Sequence, residues 1–280
     1  MAHLGMIAGA GELPAMIARQ AAQDGTPLPT VALSAHIATQ LASDCSLLTQ
    51  YGPGQLTKII RFFQRHNVHH LVMVGKVDKR FLFENPRLDL RVLRGLSRMR
   101  DFQDVTILRT IVAEFAREGL EVIAQTHVLG HLLTPEGVLG KYRPSQRAWE
   151  DITYGFSQAK QLAALDIGQT IVVRRQTVLA VEALEGTDAT IQRGCQYGGR
   201  GAVVVKVSRP QQDMRFDVPT VGPHTLRGVI DGRATVLAVE AGSTLMLHQQ
   251  ELIALADAHR VALVGVSAAV GPPSPTLGGL

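Results

Sequence analysis

The sequence predicts an α/β protein with two domains, an N-terminal Rossmann-like parallel-sheet domain and a C-terminal mixed α/β domain. Three observations lead to this prediction. Apolar strand-like segments alternate with amphipathic helical segments through the first half, which is typical of a parallel sheet with helices on both faces. A glycine turn joins the first strand to the first helix. A segment rich in Gly and Pro, residues 133–144, predicts a connection between domains.

These features set the expected domain bounds. We expect the Rossmann-like domain over residues 1–132, the linker over 133–144 and the C-terminal α/β domain over 145–280. A ligand is expected in the cleft between the two domains, because such clefts are common ligand sites. With 280 residues, of which 46% are hydrophobic and 19% charged, the chain can bury a substantial core.

Composition argues against several classes of protein. No apolar run approaches the roughly 18 residues that a membrane span needs, and the N-terminal sequence has neither a basic region nor a cleavage site typical of secretion. Cys45 and Cys195 form neither a metal-binding spacing nor a disulfide framework. The excess of 28 Lys+Arg over 24 Asp+Glu, a charge of +4, is too small to indicate nucleic-acid binding. We therefore expect a cytoplasmic protein with reduced thiols.

A glycine turn, Gly9-Ala10-Gly11, follows the first predicted strand, His3–Ala8. Strand, Gly-x-Gly and helix form the opening of a nucleotide-binding unit, in which N–H groups at the helix start face a phosphate. Glu12-Leu13-Pro14 stands where the dinucleotide fingerprint would have its third glycine, so the pattern favours an anion or nucleotide more than NAD. A purely structural turn is an equal alternative.

The rest of the first half continues the alternation of strands and helices. Strands are predicted at Pro29–Leu33, Leu71–Val74 and Leu120–Ala124, and helices at Gly54–His66 and Asp104–Gly119. Uniformly apolar strands between helices favour a parallel sheet that is buried on both faces.

The segment Lys76–Arg100 is basic and amphipathic. Four arginines recur at helical spacing, at Arg87, Arg91, Arg94 and Arg98, and the apolar cluster Phe81–Phe83 precedes them. Such an element suits an anionic lipid surface or a lipid substrate. A surface helix packed on the sheet has the same pattern, and both interpretations stay open.

The second half contains the hexapeptide VLAVEA twice, at Val178–Ala183 and Val236–Ala241. We expect two strands that place Glu182 and Glu240 at equivalent positions near their ends. A carboxylate so close to a buried strand is costly unless it is paired or binds a metal. Either a salt bridge or a place in the wall of a site would satisfy this requirement.

The segment Val203–Gly222 begins as a buried strand and becomes a polar loop after Val207. Asp213, Arg215 and Asp217 occupy alternate positions of that loop. In an extended segment alternate side chains share a face, so these residues would hold a divalent cation beside an anionic group. A solvated loop with a local Arg–Asp pair is the alternative.

Four segments together resemble the UDP-2,3-diacylglucosamine pyrophosphatase family of the LpxI type. They read LGMIAGAGELP, TPEGVLG, VLAVEALEGTDA and VKVSRPQQDMRFDVPTVG, and the resemblance runs from Leu4 to about Gly265. It implies Mg²⁺-dependent hydrolysis of UDP-2,3-diacylglucosamine to UMP and 2,3-diacylglucosamine 1-phosphate, a step of lipid A synthesis. The essential aspartate of the family motif D-x-P-T-[IV]-G falls on Asp217.

The chemistry and the resemblance together predict a set of site residues in a catalytic C-terminal domain. Asp217 is expected as a catalytic residue and Mg²⁺ ligand, with Asp213 or Asp188 as a second ligand, because Mg²⁺ prefers one or two carboxylates plus phosphate and water. Asp213 and Arg215 are the other predicted catalytic residues. The residues predicted to bind substrate are Gly9, Gly11, Lys76, Thr187, Asp188, Lys206 and Thr220.

Two other function classes compete with the hydrolase. An NAD-dependent oxidoreductase is disfavoured by the missing third glycine, and a non-catalytic nucleotide-sugar-binding or regulatory protein is disfavoured by the intact motif around Asp217. The predicted partners are the UDP-2,3-diacylglucosamine substrate and, through the Phe81–Phe83 cluster, the surface of the inner membrane. The sequence leaves open whether the chain forms a homo-oligomer.

Overall fold

The structure is a computed structural model that describes residues 3–77, 89, 91–92 and 104–267. The chain forms two compact units. One comprises Met1–Gly130 with Met214–Phe216, and the other comprises His131–Asp213 with Asp217–Leu280. The cluster Phe81–Phe83 and three of the four arginines predicted to form a basic face lie outside the described residues; Arg91 is described.

The first unit contains a five-stranded, fully parallel sheet in the order β3-β2-β1-β4-β5, which confirms the predicted Rossmann-like arrangement. Its strands are β1 Leu4–Ala8, β2 Thr30–Ala32, β3 Leu48–Gln50, β4 His70–Val74 and β5 Glu121–Val122. Its described helices are α1 Leu13–Gln23, α2 Ala35–Leu41, α3 Leu56–Arg65, α4 Asp104–Arg117 and α5 Thr126–Leu129, after which a 3₁₀ turn spans Gly130–Leu132.

The helices of the first unit bury their apolar residues against this sheet. Ile59, Ile60 and Phe63 of α3 pack into one cluster with Ile7 of β1 and Leu71 of β4. These α3 residues recur at helical spacing, which explains why this helix has one strongly apolar face. Because β1 and β4 are covered on both faces, their sequences are almost entirely apolar.

The second unit contains a six-stranded mixed sheet in the order β6-β13-β11-β9-β7-β8. Its strands are β6 Gly137–Val138, β7 Thr170–Arg174, β8 Thr177–Val181, β9 Val203–Lys206, β11 Val236–Glu240 and β13 Ala262–Val266, while β10 Thr220–Val221 and β12 Leu245–Met246 form a separate short pair. Strands β9, β11 and β13 are parallel, and β7 is antiparallel to both β9 and β8. Segment 133–144, interpreted from its sequence as a linker, contributes β6 to this sheet.

Helices cover both faces of the second sheet. They are α6 Gln146–Ala164, α7 Thr187–Gly198, α8 Pro223–Asp231 and α9 Gln249–Ala258. Successive residues of β9 point to opposite faces: Val203 and Val205 pack in the cluster that includes α6 residues, whereas Val204 packs in the cluster with residues of α7, α8 and α9. Two cores on one sheet therefore fix the register of the strands and the positions of their ends.

Candidate active site

Three strands of the second sheet run in the same direction and have their carboxyl ends at the same edge of the sheet. Strand β8 runs in the same direction as β9 and β11, because β7 is antiparallel to both β8 and β9. Lys206 is the last residue of β9, Glu240 is the last residue of β11, and Glu182 follows β8 directly. The repeated hexapeptide therefore does place its two glutamates at one edge of the sheet, and we call this edge, with the loop 208–222, the polar edge.

A hydrogen-bonded chain links Lys206, Thr187 and Glu182 at the polar edge. Lys206 Nζ donates to Thr187 Oγ1 at 3.0 Å, and that hydroxyl donates to Glu182 Oε1 at 2.8 Å. The Gln169 backbone N–H donates to the other oxygen of Glu182 at 3.2 Å. Each carboxylate oxygen of Glu182 thus has a donor, and the Lys206 ammonium is held beside the first residue of α7.

Helix α7 begins at this ammonium group without a side-chain cap. Gly186 occupies the N-cap position with φ +82° and ψ 174°, a conformation that in practice requires glycine. Asp188, in the first turn, lies 3.2 Å from His224 Nε2, and both side chains are exposed. The start of a helix carries a partial positive charge, so this helix end and Lys206 together suit an anionic group.

Glu185, directly before Gly186, is a stabilised carboxylate. Its own backbone N–H, followed by the guanidinium of Arg193, lowers the pKa of Glu185 below its ordinary value. Thr190 Oγ1 also donates to it at 3.3 Å. The loop that leads into α7 is therefore held in place by hydrogen bonds to an ionised group.

Glu240 has a largely buried side chain, 13% exposed, and it forms a salt bridge. Lys160 Nζ of α6 lies 2.9 and 3.1 Å from its two oxygens, and the Ser208 N–H and Oγ donate to Oε2 at 2.6 and 2.8 Å. Lys160 also donates to the Ser208 carbonyl at 2.8 Å. Of the two interpretations left open by the sequence, the salt bridge is the observed one, and it anchors the first residue of the loop.

The carboxylate of Asp217 lies at the far end of the same loop. Arg209 Nη1 and Gln212 Nε2 each donate to Asp217 Oδ2 at 2.7 Å. The side chain remains 57% exposed. Asp217 is therefore both fixed in position and accessible to a ligand.

The prediction of an extended segment from Asp213 to Asp217 is wrong. Residues 214–216 form a turn, and the Asp217 N–H donates to the Asp213 carbonyl at 3.1 Å. This four-residue closure replaces the alternation of an extended chain, and it brings the backbones of the two aspartates together. The guanidinium of Arg215 lies over the ring of Phe216, 5.1 Å from its centroid, while the Met214 carbonyl accepts the Gln125 N–H within the first unit.

Thr220, also predicted to bind substrate, begins strand β10. Its hydroxyl donates to the Val218 carbonyl at 3.0 Å. This hydrogen bond stabilises the short connection between Asp217 and β10.

In the first unit, the glycine turn contacts the end of β4 through its backbone. Gly9 N–H donates to the Val74 carbonyl at 2.7 Å, and Ala10 and Lys76 exchange two backbone hydrogen bonds of 2.8 Å. A Cβ on Gly9 would lie 2.6 Å from the Lys76 carbonyl oxygen, so only glycine fits there. Gly11 has φ +119° and open space around it, so its backbone conformation alone requires glycine. The side chain of Lys76 is exposed.

The predicted metal ligands have suitable chemistry for Mg²⁺ but do not form a preassembled cluster. Within the described residues, no group of three or more His, Cys, Asp and Glu side chains is placed to hold one metal ion. Asp217 lies at the end of the turn that begins at Asp213, whereas Asp188 is paired with His224. A hard cation that takes one or two protein carboxylates and completes its shell with phosphate and water fits this arrangement.

Sequence reasoning missed three side chains of the polar edge, namely Lys160, Arg209 and Gln212. The spacing of three between Arg209 and Gln212 fits one turn, and here the Gln212 N–H donates to the Arg209 carbonyl at 3.1 Å. Such spacing is common in loops, so it carries little information without the partner, Asp217.

Comparison with known proteins gives a match over almost the whole chain. Residues 3–132 match the model of the LpxI N-terminal domain, and residues 135–264 match that of the LpxI C-terminal domain. The chain is also similar to the UDP-2,3-diacylglucosamine pyrophosphatase LpxI of Caulobacter vibrioides. The two are 31% identical over 277 residues, which cover 95% of this chain and 98% of the relative.

Proposed function

The chain belongs to the LpxI family, and we propose that it hydrolyses the pyrophosphate bond of UDP-2,3-diacylglucosamine. The products are UMP and 2,3-diacylglucosamine 1-phosphate, and the reaction is a step of lipid A synthesis. The observation that carries this proposal is the 31% identity to a pyrophosphatase of that specificity over nearly the full length of both chains.

A diphosphate resists hydrolysis because its negative oxygens repel a nucleophile. Lys206 and the uncapped start of α7 supply positive charge at fixed positions, and we assign them to one phosphate of the substrate. Thr187 orients Lys206, and Glu182 in turn fixes the hydroxyl of Thr187. Asp188 lies in the same first turn of α7, where its carboxylate would reduce the net positive charge around the phosphate.

Asp217, with Asp213, would hold Mg²⁺. When bound, this ion would neutralise phosphate charge and lower the pKa of a coordinated water molecule. Asp217 contributes an exposed carboxylate whose Oδ2 is already neutralised by Arg209, and the adjacent Arg215 would add a cation for the departing phosphate. Gly9, Gly11 and Lys76 stay predicted substrate-binding residues. Because the N–H groups of Gly9 and Ala10 already bind carbonyls, we expect contact through the residues after them.

Contact with the inner membrane surface remains part of the proposal. None of the helices in the described ranges has the length and hydropathy that a membrane crossing requires. Leu165, Ile167 and Leu184 have exposed side chains. They lie near the polar edge, because the loops that carry them meet where Gly168 approaches the backbone of Glu182. Sedimentation with anionic vesicles tests this contact. The fraction of protein that sediments with the vesicles should be lower for Leu184→Glu than for wild type. An unchanged fraction would contradict a role for this surface.

Product analysis by ³¹P NMR tests the proposed function. Wild-type protein should release UMP from UDP-2,3-diacylglucosamine with Mg²⁺ and stop when EDTA is added. Turnover that is indifferent to EDTA would overturn the metal proposal alone. A folded protein that binds UDP-sugars and releases no UMP would instead support the alternative, a non-catalytic nucleotide-sugar-binding or regulatory protein.

A further inference from the structure

Asp217 is held through one of its two carboxylate oxygens. Both Arg209 Nη1 and Gln212 Nε2 donate to Oδ2, each at 2.7 Å, and no described residue donates a hydrogen bond to Oδ1 in the structure. Two donors on a single oxygen fix the rotation of the carboxylate. They also determine which oxygen is left for a ligand.

The two donors are themselves held in position. Gln212 Oε1 accepts the Arg209 N–H at 2.9 Å, which orients the amide so that its NH₂ group faces Asp217. The same NH₂ group also donates to the Asp217 carbonyl at 2.5 Å. On the outer side, Arg209 Nε lies 2.6 Å from Asp166 Oδ1. The guanidinium therefore forms ion pairs with two acids from different loops of the second unit, and it donates a hydrogen bond to Asp217 alone of the two.

Stability alone does not account for this arrangement. The side chains of Asp217 and Asp166 are 57% and 76% exposed, and ion pairs between such exposed side chains contribute little to stability. The loop also has a separate anchor in the salt bridge between Lys160 and Glu240. The contacts of Arg209 and Gln212 instead fix the orientation of the Asp217 carboxylate.

We propose that Arg209 and Gln212 are positioning residues that clamp Oδ2 of Asp217 and present Oδ1 to the reacting groups. This inference rests on the proposed function, because it assigns a task to Asp217. An arginine is suited to the task, since its planar group can bind two acids at once, whereas a lysine offers a single point charge.

The first test is kinetic. Residues that orient a group in direct contact with metal or substrate typically contribute 10- to 100-fold to activity. Arg209→Ala should lower kcat by roughly 30-fold and Gln212→Ala by roughly 10-fold. Arg209→Lys should recover part of the loss. Asp166→Asn is the matched control: it removes only the outer ion pair and should stay within about threefold of wild type.

The second test is structural and does not depend on turnover. In crystals of Gln212→Ala and of Arg209→Ala, the Asp217 side chain should occupy more than one rotamer, whereas in Asp166→Asn it should keep the wild-type one. An unchanged, single Asp217 rotamer in both alanine variants would overturn the inference. So would wild-type kcat in both, provided that Asp217→Ala is inactive. A wild-type protein without turnover would overturn the proposed function, and the rotamer test would still decide on the clamp.

Discussion

The two sheets end in structurally different edges. In the first unit, the turns after β1 and β4 bind each other through backbone groups, and a Cβ on Gly9 or Gly75 would lie 2.6 Å from a backbone atom of the opposite turn. In the second unit, the polar edge is built from side chains that pair charge with charge. The first edge therefore limits the size of the side chains that fit at its turns. The second requires side chains of particular charge.

This difference matters for interpreting the sequence. The Gly-x-Gly pattern predicts an anion site, yet the first glycine is explained by close packing and the second by its backbone conformation. The chemically specific groups lie instead at the polar edge, where Asp217 belongs to a short family motif but its partners Arg209 and Gln212 lie outside it. If this comparison is right, substitutions in the first edge should destabilise the protein through steric collision. Substitutions in the polar edge should destabilise it through loss of a charge partner.

Lys160→Met should have the largest effect on stability. It leaves the Glu240 carboxylate, which is 13% exposed, without its counter-ion. Breaking a buried pair by removing one partner costs about 3 kcal/mol, to be measured by urea denaturation. The double variant Lys160→Met/Glu240→Gln is the control and should lose less than the sum of the single losses. A Lys160→Met protein as stable as wild type would show that the polar edge does not depend on charge pairing.

Gly9→Ala should destabilise the first unit by about 2 kcal/mol, because the added methyl group collides with backbone and cannot be accommodated by a rotamer change. Gly11→Ala is the matched control. It meets no atom within 4 Å and carries only the cost of a positive φ, about 1 kcal/mol. Lys76→Ala should leave stability unchanged, since its contact there uses backbone atoms. Equal losses in Gly9→Ala and Gly11→Ala would contradict the packing explanation.

The two cysteines provide a local probe for each unit. Burial raises the pKa of the Cys45 thiol in the first unit and of the Cys195 thiol in the second, so both should react slowly with a thiol reagent in native protein. Gly9→Ala should speed labelling of Cys45 by roughly tenfold and leave Cys195 unchanged, and Lys160→Met should do the reverse. Mass spectrometry of the labelled peptides separates the two sites. Parallel acceleration at both would mean that the two units open together.

The smallest effect is expected at Glu185. Its folded-state pKa is lowered, so its contribution to stability is complete above the ordinary value of 4.5 and is lost as the pH falls through the folded-state pKa. Glu185→Gln should therefore be slightly less stable than wild type at pH 7, with a difference that shrinks below about pH 4.5. Thermal unfolding across pH measures it. A difference that grows in acid would contradict the assigned pKa shift.

Much of the fold could be predicted because the parallel strands are buried on both faces and read as apolar runs. Strand β3, Leu48–Gln50, was missed because it is only partly buried and lacks such a run. Strand β6 was missed because two residues cannot show a period. Both are edge strands of their sheets.

The site could be predicted only in part. The sequence placed Glu182, Glu240 and Lys206 near strand ends, where the structure has them. The alternation of acids around Arg215 predicted an extended backbone, whereas the structure has a turn there. The hydrogen bond that closes this turn joins residues four apart, and it leaves no pattern in residue types. Arg209 and Gln212 resemble ordinary solvated loop residues until their shared partner is known.

The most direct test of the account is the single-turnover rate of UMP release by Asp217→Asn, at saturating Mg²⁺, beside Asp188→Asn and wild type. Asparagine keeps the size of the side chain and removes its charge. We predict a loss on the order of a hundredfold or more for Asp217→Asn with unchanged thermal stability, and a smaller loss for Asp188→Asn. A rate for Asp217→Asn within about threefold of wild type would contradict the assignment of the polar edge as the active site.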